Sequence, residues 1–164
     1  MYISHEIQNK FPLSHKKPFK KAMRKTMLIV GIASVVAISL EASLADFKFW
    51  HLALIIPFFM IFYALVYFYE TWYYKNYFYD LTDDYVIIKK GPIAPQEITI
   101  PYDRIQDVYL DQDLLDRVLG LYDVHLSTAT VVSGMRAHID GVDRNAAHGL
   151  REIILKKMKE KHSK

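Results

Sequence analysis

The chain has 164 residues, 52% hydrophobic and 14% aromatic, with a net charge of +3, which leaves room for one small domain and little else. It has no cysteine, so disulfides, thiolate nucleophiles and cysteine metal sites are excluded. The modest net charge hides an asymmetry: residues 1–25 are strongly basic, whereas from Glu70 onward acids slightly outnumber bases.

In chain order, residues 1–25 read as a basic cytoplasmic tail carrying Lys16, Lys17, Lys20, Lys21, Arg24 and Lys25. Each cation near an anionic leaflet gains about 1 kcal/mol, so these six are candidate contacts to lipid headgroups. The same cations also serve to fix topology. Two apolar stretches follow, Met27–Leu44 and Phe49–Tyr69. The second has no charged residue and, at 1.5 Å per residue, spans roughly 30 Å, the hydrocarbon thickness of a bilayer. The first is weaker, because it takes in Glu41 to reach full length. The expectation is a transmembrane hairpin, 26–44 and 49–69. The positive-inside rule places both termini in the cytoplasm of a multi-pass protein of the plasma (inner) membrane.

Residues 70–164 change periodicity. Tyr77–Leu81 and Tyr85–Lys89 are aromatic and β-branched runs around Thr82-Asp83-Asp84, which predicts a hairpin. Ile98–Ile100 and Val108–Leu110 predict two further strands. Asp113–Leu119 predicts a short helix with Gly120 as its left-handed cap. Tyr122–Ser127 and Met135–Ile139 alternate again, with His125 and His138 pointing outward on adjacent strands. Asp143 then opens a helix to about Lys161, with Ala146, Ala147, Leu150, Ile153, Ile154 and Met158 in one apolar stripe. A curved antiparallel sheet closed by one amphipathic helix is the predicted domain.

No catalytic residue, cofactor site or metal site emerges from these residues. Two histidines are too few for a zinc site without a third ligand. The acids at Asp83/Asp84 and Asp111/Asp113/Asp116 lack the spacing of a calcium loop, and phosphate loops, dinucleotide fingerprints and nucleophile elbows are absent. Nucleic acid is a poor partner, because the basic residues are not interleaved with a reader domain.

Three stretches carry a family resemblance. They are Ile98-Thr99-Ile100-Pro101-Tyr102-Asp103-Arg104-Ile105-Gln106-Asp107-Val108, Leu115-Asp116-Arg117-Val118-Leu119-Gly120-Leu121, and Val124-His125-Leu126-Ser127-Thr128-Ala129. Together they resemble the bacterial pleckstrin-homology domain family, more closely its short membrane members in which two transmembrane helices precede one domain. Pro101, Arg104, Ile105, Gln106, Leu119, Gly120, Leu121 and Thr128 match the recurring pattern. The resemblance implies a membrane-anchored α+β protein, with a PH-like bent β-barrel of about seven strands capped by a C-terminal helix. It also implies a non-catalytic interaction module that meets a membrane-protein partner, such as a longer protein with several PH-like domains. The alternative is a sensor of anionic lipid headgroups, using the basic tail and the membrane-facing side of the domain. The Asp83-Asp84 turn departs from the basic loop of phosphoinositide-binding relatives and argues against that ligand.

Overall fold

The computed structural model describes residues 6–44, 50–129 and 137–162, with side chains 6, 37, 38 and 40–55 outside the description. In chain order the helices are α1 (Glu6–Lys10), α2 (Lys16–Leu44), α3 (Trp50–Lys75), α4 (Leu114–Leu119) and α5 (Arg144–His162). The strands are β1 (Phe78–Leu81), β2 (Tyr85–Lys90), β3 (Gln96–Pro101), β4 (Ile105–Asp111), β5 (Leu121–Thr128) and β6 (His138–Asp143). The chain divides into two compact units, Met1–Lys17 with Tyr73–Lys164, and Pro18–Trp72.

The first unit is built from two antiparallel three-stranded sheets, β1-β2-β3 and β4-β5-β6. Period-two alternation puts Val86 and Ile88 of β2 and Val124 and Leu126 of β5 into the interior, all fully buried. Helix α5 lays Ala147, Leu150 and Ile154 onto the same core, against β4, β5 and β6. Each such buried side chain contributes about 1.5–3 kcal/mol relative to exposure.

Residues 6–17 pack into this unit. Leu13 is 4% exposed and bridges Val142 of β6, while the Ser14 amide donates to Gly141 O at 2.9 Å. The Tyr74 hydroxyl donates to Leu13 O at 2.7 Å, and the Tyr79 hydroxyl donates to Phe11 O. The Phe11 ring lies against Gly149 of α5, where an added Cβ would sit 2.5 Å from a ring carbon. An N-terminal strap therefore covers the outer edge of β6, a common remedy for an exposed edge strand.

Two expectations need correction. The six described strands lie in two sheets, and Met135, assigned to a strand by alternation, lies outside the described residues. The transmembrane hairpin is also overturned: among the described residues no helix is long and apolar enough to cross a membrane. In α2 the first turns carry Lys16, Lys17, Lys20, Lys21, Arg24 and Lys25. In α3, which continues through Pro57, the described apolar side chains run from Ile56 to Tyr69. Glu70, a buried carboxylate, follows at once. The membrane-anchored fold class, the transmembrane and inner-membrane assignment and the multi-pass localisation that rested on the hairpin fall with it. In the second unit large apolar side chains are exposed, among them Met27, Leu28, Ile32, Val35, Phe58, Met60, Ile61, Leu65 and Phe68.

Candidate functional site

The turn between β3 and β4 is where residues of the family pattern gather. Pro101, with φ −62° and ψ 142°, stops β3 and feeds a 3-10 turn over Tyr102–Arg104. The turn is pinned from inside. Tyr102 is fully buried, its amide donates to Asp84 O at 3.2 Å and its hydroxyl donates to Thr82 O at 3.1 Å. Burial, with help from the nearby carboxylates of Asp80, Asp83 and Asp84, pushes the Tyr102 phenol well above its ordinary pKa, so it stays a neutral donor. Ile105 is buried beneath the turn, whereas Asp103 and Arg104 are exposed.

The β4–β5 register breaks directly after Ile105. Ile105 pairs with Thr128 and Asp107 with Ser127, leaving Gln106 as the additional residue of a β-bulge. The result is a cleft of about 560 Å³ whose lining includes Pro101, Arg104, Gln106 and Thr128, together with Thr99 and Ala129. A guanidinium, an amide, hydroxyls and one carboxylate suit hydrogen-bonded recognition. Among the described residues lining the cleft there is no nucleophile paired with a base, the arrangement covalent chemistry needs.

Of the eight pattern residues, four therefore line the cleft and Ile105 supports it from the core. Leu119, Gly120 and Leu121 lie at the opposite end of β4 and β5. There Asp113 and Asp116 form a reciprocal capping box on α4, and Gly120, at φ 72°, sends its amide back to Asp116 O. Leu121 is buried, and its carbonyl accepts from Gln112 Nε2 at 2.7 Å. These three residues fix the helix-to-strand joint.

The six cations proposed as lipid contacts do not form one face. Lys16 Nζ donates to Leu119 O at 3.0 Å. Lys17 is 2% exposed; its ammonium donates to Asp140 O at 2.9 Å, lies 3.5 Å from the Asp140 carboxylate and sits 3.6 Å from the Tyr77 ring centroid. Lys20 is buried as well. Lys25 pairs with the Glu70 carboxylate and lies over the Tyr69 ring. Lys21 and Arg24 also have partners within the chain. The acidic β1–β2 turn is clamped by α5: Lys157 Nζ donates to Thr82 O at 2.7 Å and to Asp83 at 3.0 Å, and Lys161 pairs with Asp84.

The two histidines on adjacent strands do meet, since His125 and His138 are register partners. Their rings stack at 5.2 Å between centroids, and Tyr109 stacks on His125 at 4.9 Å. His138 Nε2 lies 2.7 Å from an Asp140 oxygen. Burial, and then the neighbouring His138, lowers the pKa of His125. Stacked faces do not converge lone pairs on an ion, and among the described residues no group of three or more His, Asp or Glu is arranged to hold a metal.

A family model described as a bacterial PH domain matches residues 26–158. No curated protein and no solved structure matches the chain.

Proposed function

Because the chain belongs to the bacterial PH domain family, whose members are generally non-catalytic interaction modules, we propose that it binds a protein partner through the corner cleft and catalyses no reaction of its own. The observation that carries this reading is the split within the family pattern. Pro101, Ile105 and the bulge build the corner, yet Arg104 and Gln106 are exposed on it and the core has no need of them. Exposed polar residues held on a rigid corner serve binding more readily than packing.

The chemistry favours a protein over a phosphorylated headgroup. Asp103 lies beside Arg104 in the cleft, and a carboxylate there repels a phosphate while accepting amides. The sheet β1-β2-β3 also ends at β3 among the described residues, and Thr99 of β3 lines the cleft. An extended segment of the partner can add a strand at that edge while Arg104 and Gln106 read its side chains.

A photo-crosslinking side chain at position 106 should capture one discrete partner in cells, and Arg104→Glu should abolish that capture without moving the melting temperature. The same crosslinker at Glu152, exposed on α5, should not capture it. Equal capture from both positions, or capture indifferent to Arg104→Glu, would overturn the reading.

A further inference from the structure

A second cleft, of about 650 Å³, opens between the N-terminal strap and the start of the first sheet. Its walls are fixed by bonds between residues far apart in sequence. Tyr74 donates to Leu13 O, and Gln8 Nε2 donates to Tyr77 O at 3.3 Å, a separation of 69 residues. Its floor is apolar, with Leu13 and Tyr77 buried and Tyr74 and Phe78 partly so. The His15 ring lies 5.6 Å from that of Tyr74.

The basic side chains on the rim come from three elements. His15 comes from the strap, Lys75 from the end of α3 and Lys89 from β2, with the amides of Asn9 and Asn76 between them. Among the described residues no carboxylate lines the cleft. The nearest acid paired with a rim cation is Glu97, 3.9 Å from Lys89, in an exposed pair of the kind worth little in water. Lys89 is therefore readily recruited by a better anion. Three separate elements thus contribute basic side chains to the lining of one apolar-floored space, which suits a doubly charged anion carrying an apolar group. Compact ammonium groups bind phosphate as point charges.

We propose that this cleft binds a small phosphate monoester, its phosphate held by Lys75, Lys89 and His15 and its organic part lying on Leu13, Tyr74 and Phe78. The same chemistry is offered by a soluble organic phosphate and by a lipid-borne phosphate monoester, and the test separates them. The full chain is titrated with phenyl phosphate, with phenol, with inorganic phosphate, and with phosphatidylcholine vesicles with and without phosphatidic acid.

Phenyl phosphate should bind more tightly than inorganic phosphate, phenol should not bind, and each of Lys75→Gln and Lys89→Gln should weaken binding by at least about tenfold. A control pair, Lys156→Gln with Lys159→Gln, removes two charges from α5 and should leave affinity within about twofold. Vesicle binding that needs phosphatidic acid, Lys75 and Lys89, in a chain blind to phenyl phosphate, would keep the site and assign it to lipid. Absence of binding in every arm would overturn the proposal. So would equal loss in the control pair, which would mean that only net charge was being measured.

Discussion

At the residue scale, the stack of Tyr109, His125 and His138 offers a titration that can be read directly. Burial and the stacked His138 lower the pKa of His125 below its ordinary 6.5, against the opposing pull of Asp123, Asp111 and Asp140. Between the lowered value and 6.5 the unfolded chain binds more protons at this site than the folded one. Stability contributed here is therefore present above pH 6.5 and lost as pH falls below it. Thermal melts at descending pH should show this loss, and His125→Phe, which keeps a ring against Tyr109, should flatten it. A variant with the same acid profile as the parent would place the titration elsewhere.

The buried ion pair tells a different residue-scale story. Lys17 and Asp140 are held in the interior by mutual bonds and by Tyr77, an arrangement whose desolvation cost rivals its attraction. Its use is positional. Gly141, at φ +67°, lets the Lys17 stem pass where a Cβ would lie 2.9 Å away, so the strap can seat in only one register.

At the scale of elements, two helices of the first unit behave oppositely. Helix α5 buries Leu150 completely in the core of this unit, and Leu150→Ala should cost about 2–5 kcal/mol. Helix α4 holds itself with caps and presents Leu114 at 80% and Val118 at 81% exposure. Leu114→Ala should therefore change stability by about 0.5 kcal/mol or less. Urea denaturation of the two variants side by side checks the contrast, and equal losses would mean that α4 is covered in the folded protein.

Most of this layer was legible from the residues alone. The hairpin about Thr82-Asp83-Asp84, the Gly120 cap and the α5 stripe are local patterns, each set by neighbours within a few positions. The cleft was half legible: the family pattern named Pro101, Arg104, Gln106 and Thr128, but a bulge at Gln106 leaves no mark in local periodicity. The strap was hidden, because nothing in residues 6–17 records a pairing with β6, which depends on contacts more than a hundred positions away. The cations of α2 misled for a related reason. Charge alone cannot tell a solvated lysine from one threaded onto Asp140.

At the scale of the whole molecule, the second unit sets the behaviour in solution. Phe58, Ile61, Leu65 and Phe68 of α3 are all more than 60% exposed, a greater apolar display than most monomers carry. In aqueous buffer the chain should scatter light as an assembly of several copies. Replacing these four residues by Ser should shift it toward the monomer without altering the melting of the first unit. A parent chain that is monomeric at high concentration would show that this surface is already satisfied.

The strap also constrains how the protein is made. Lys17 and its backbone acceptor in β6 are 123 residues apart, and everything between them must leave the ribosome before they can meet. At roughly 5–20 residues per second, the first segment synthesised waits roughly 6–25 s to be seated. Closure of the first unit is thus a late event of translation, and the outer rim of β6 emerges with its cover already waiting for it.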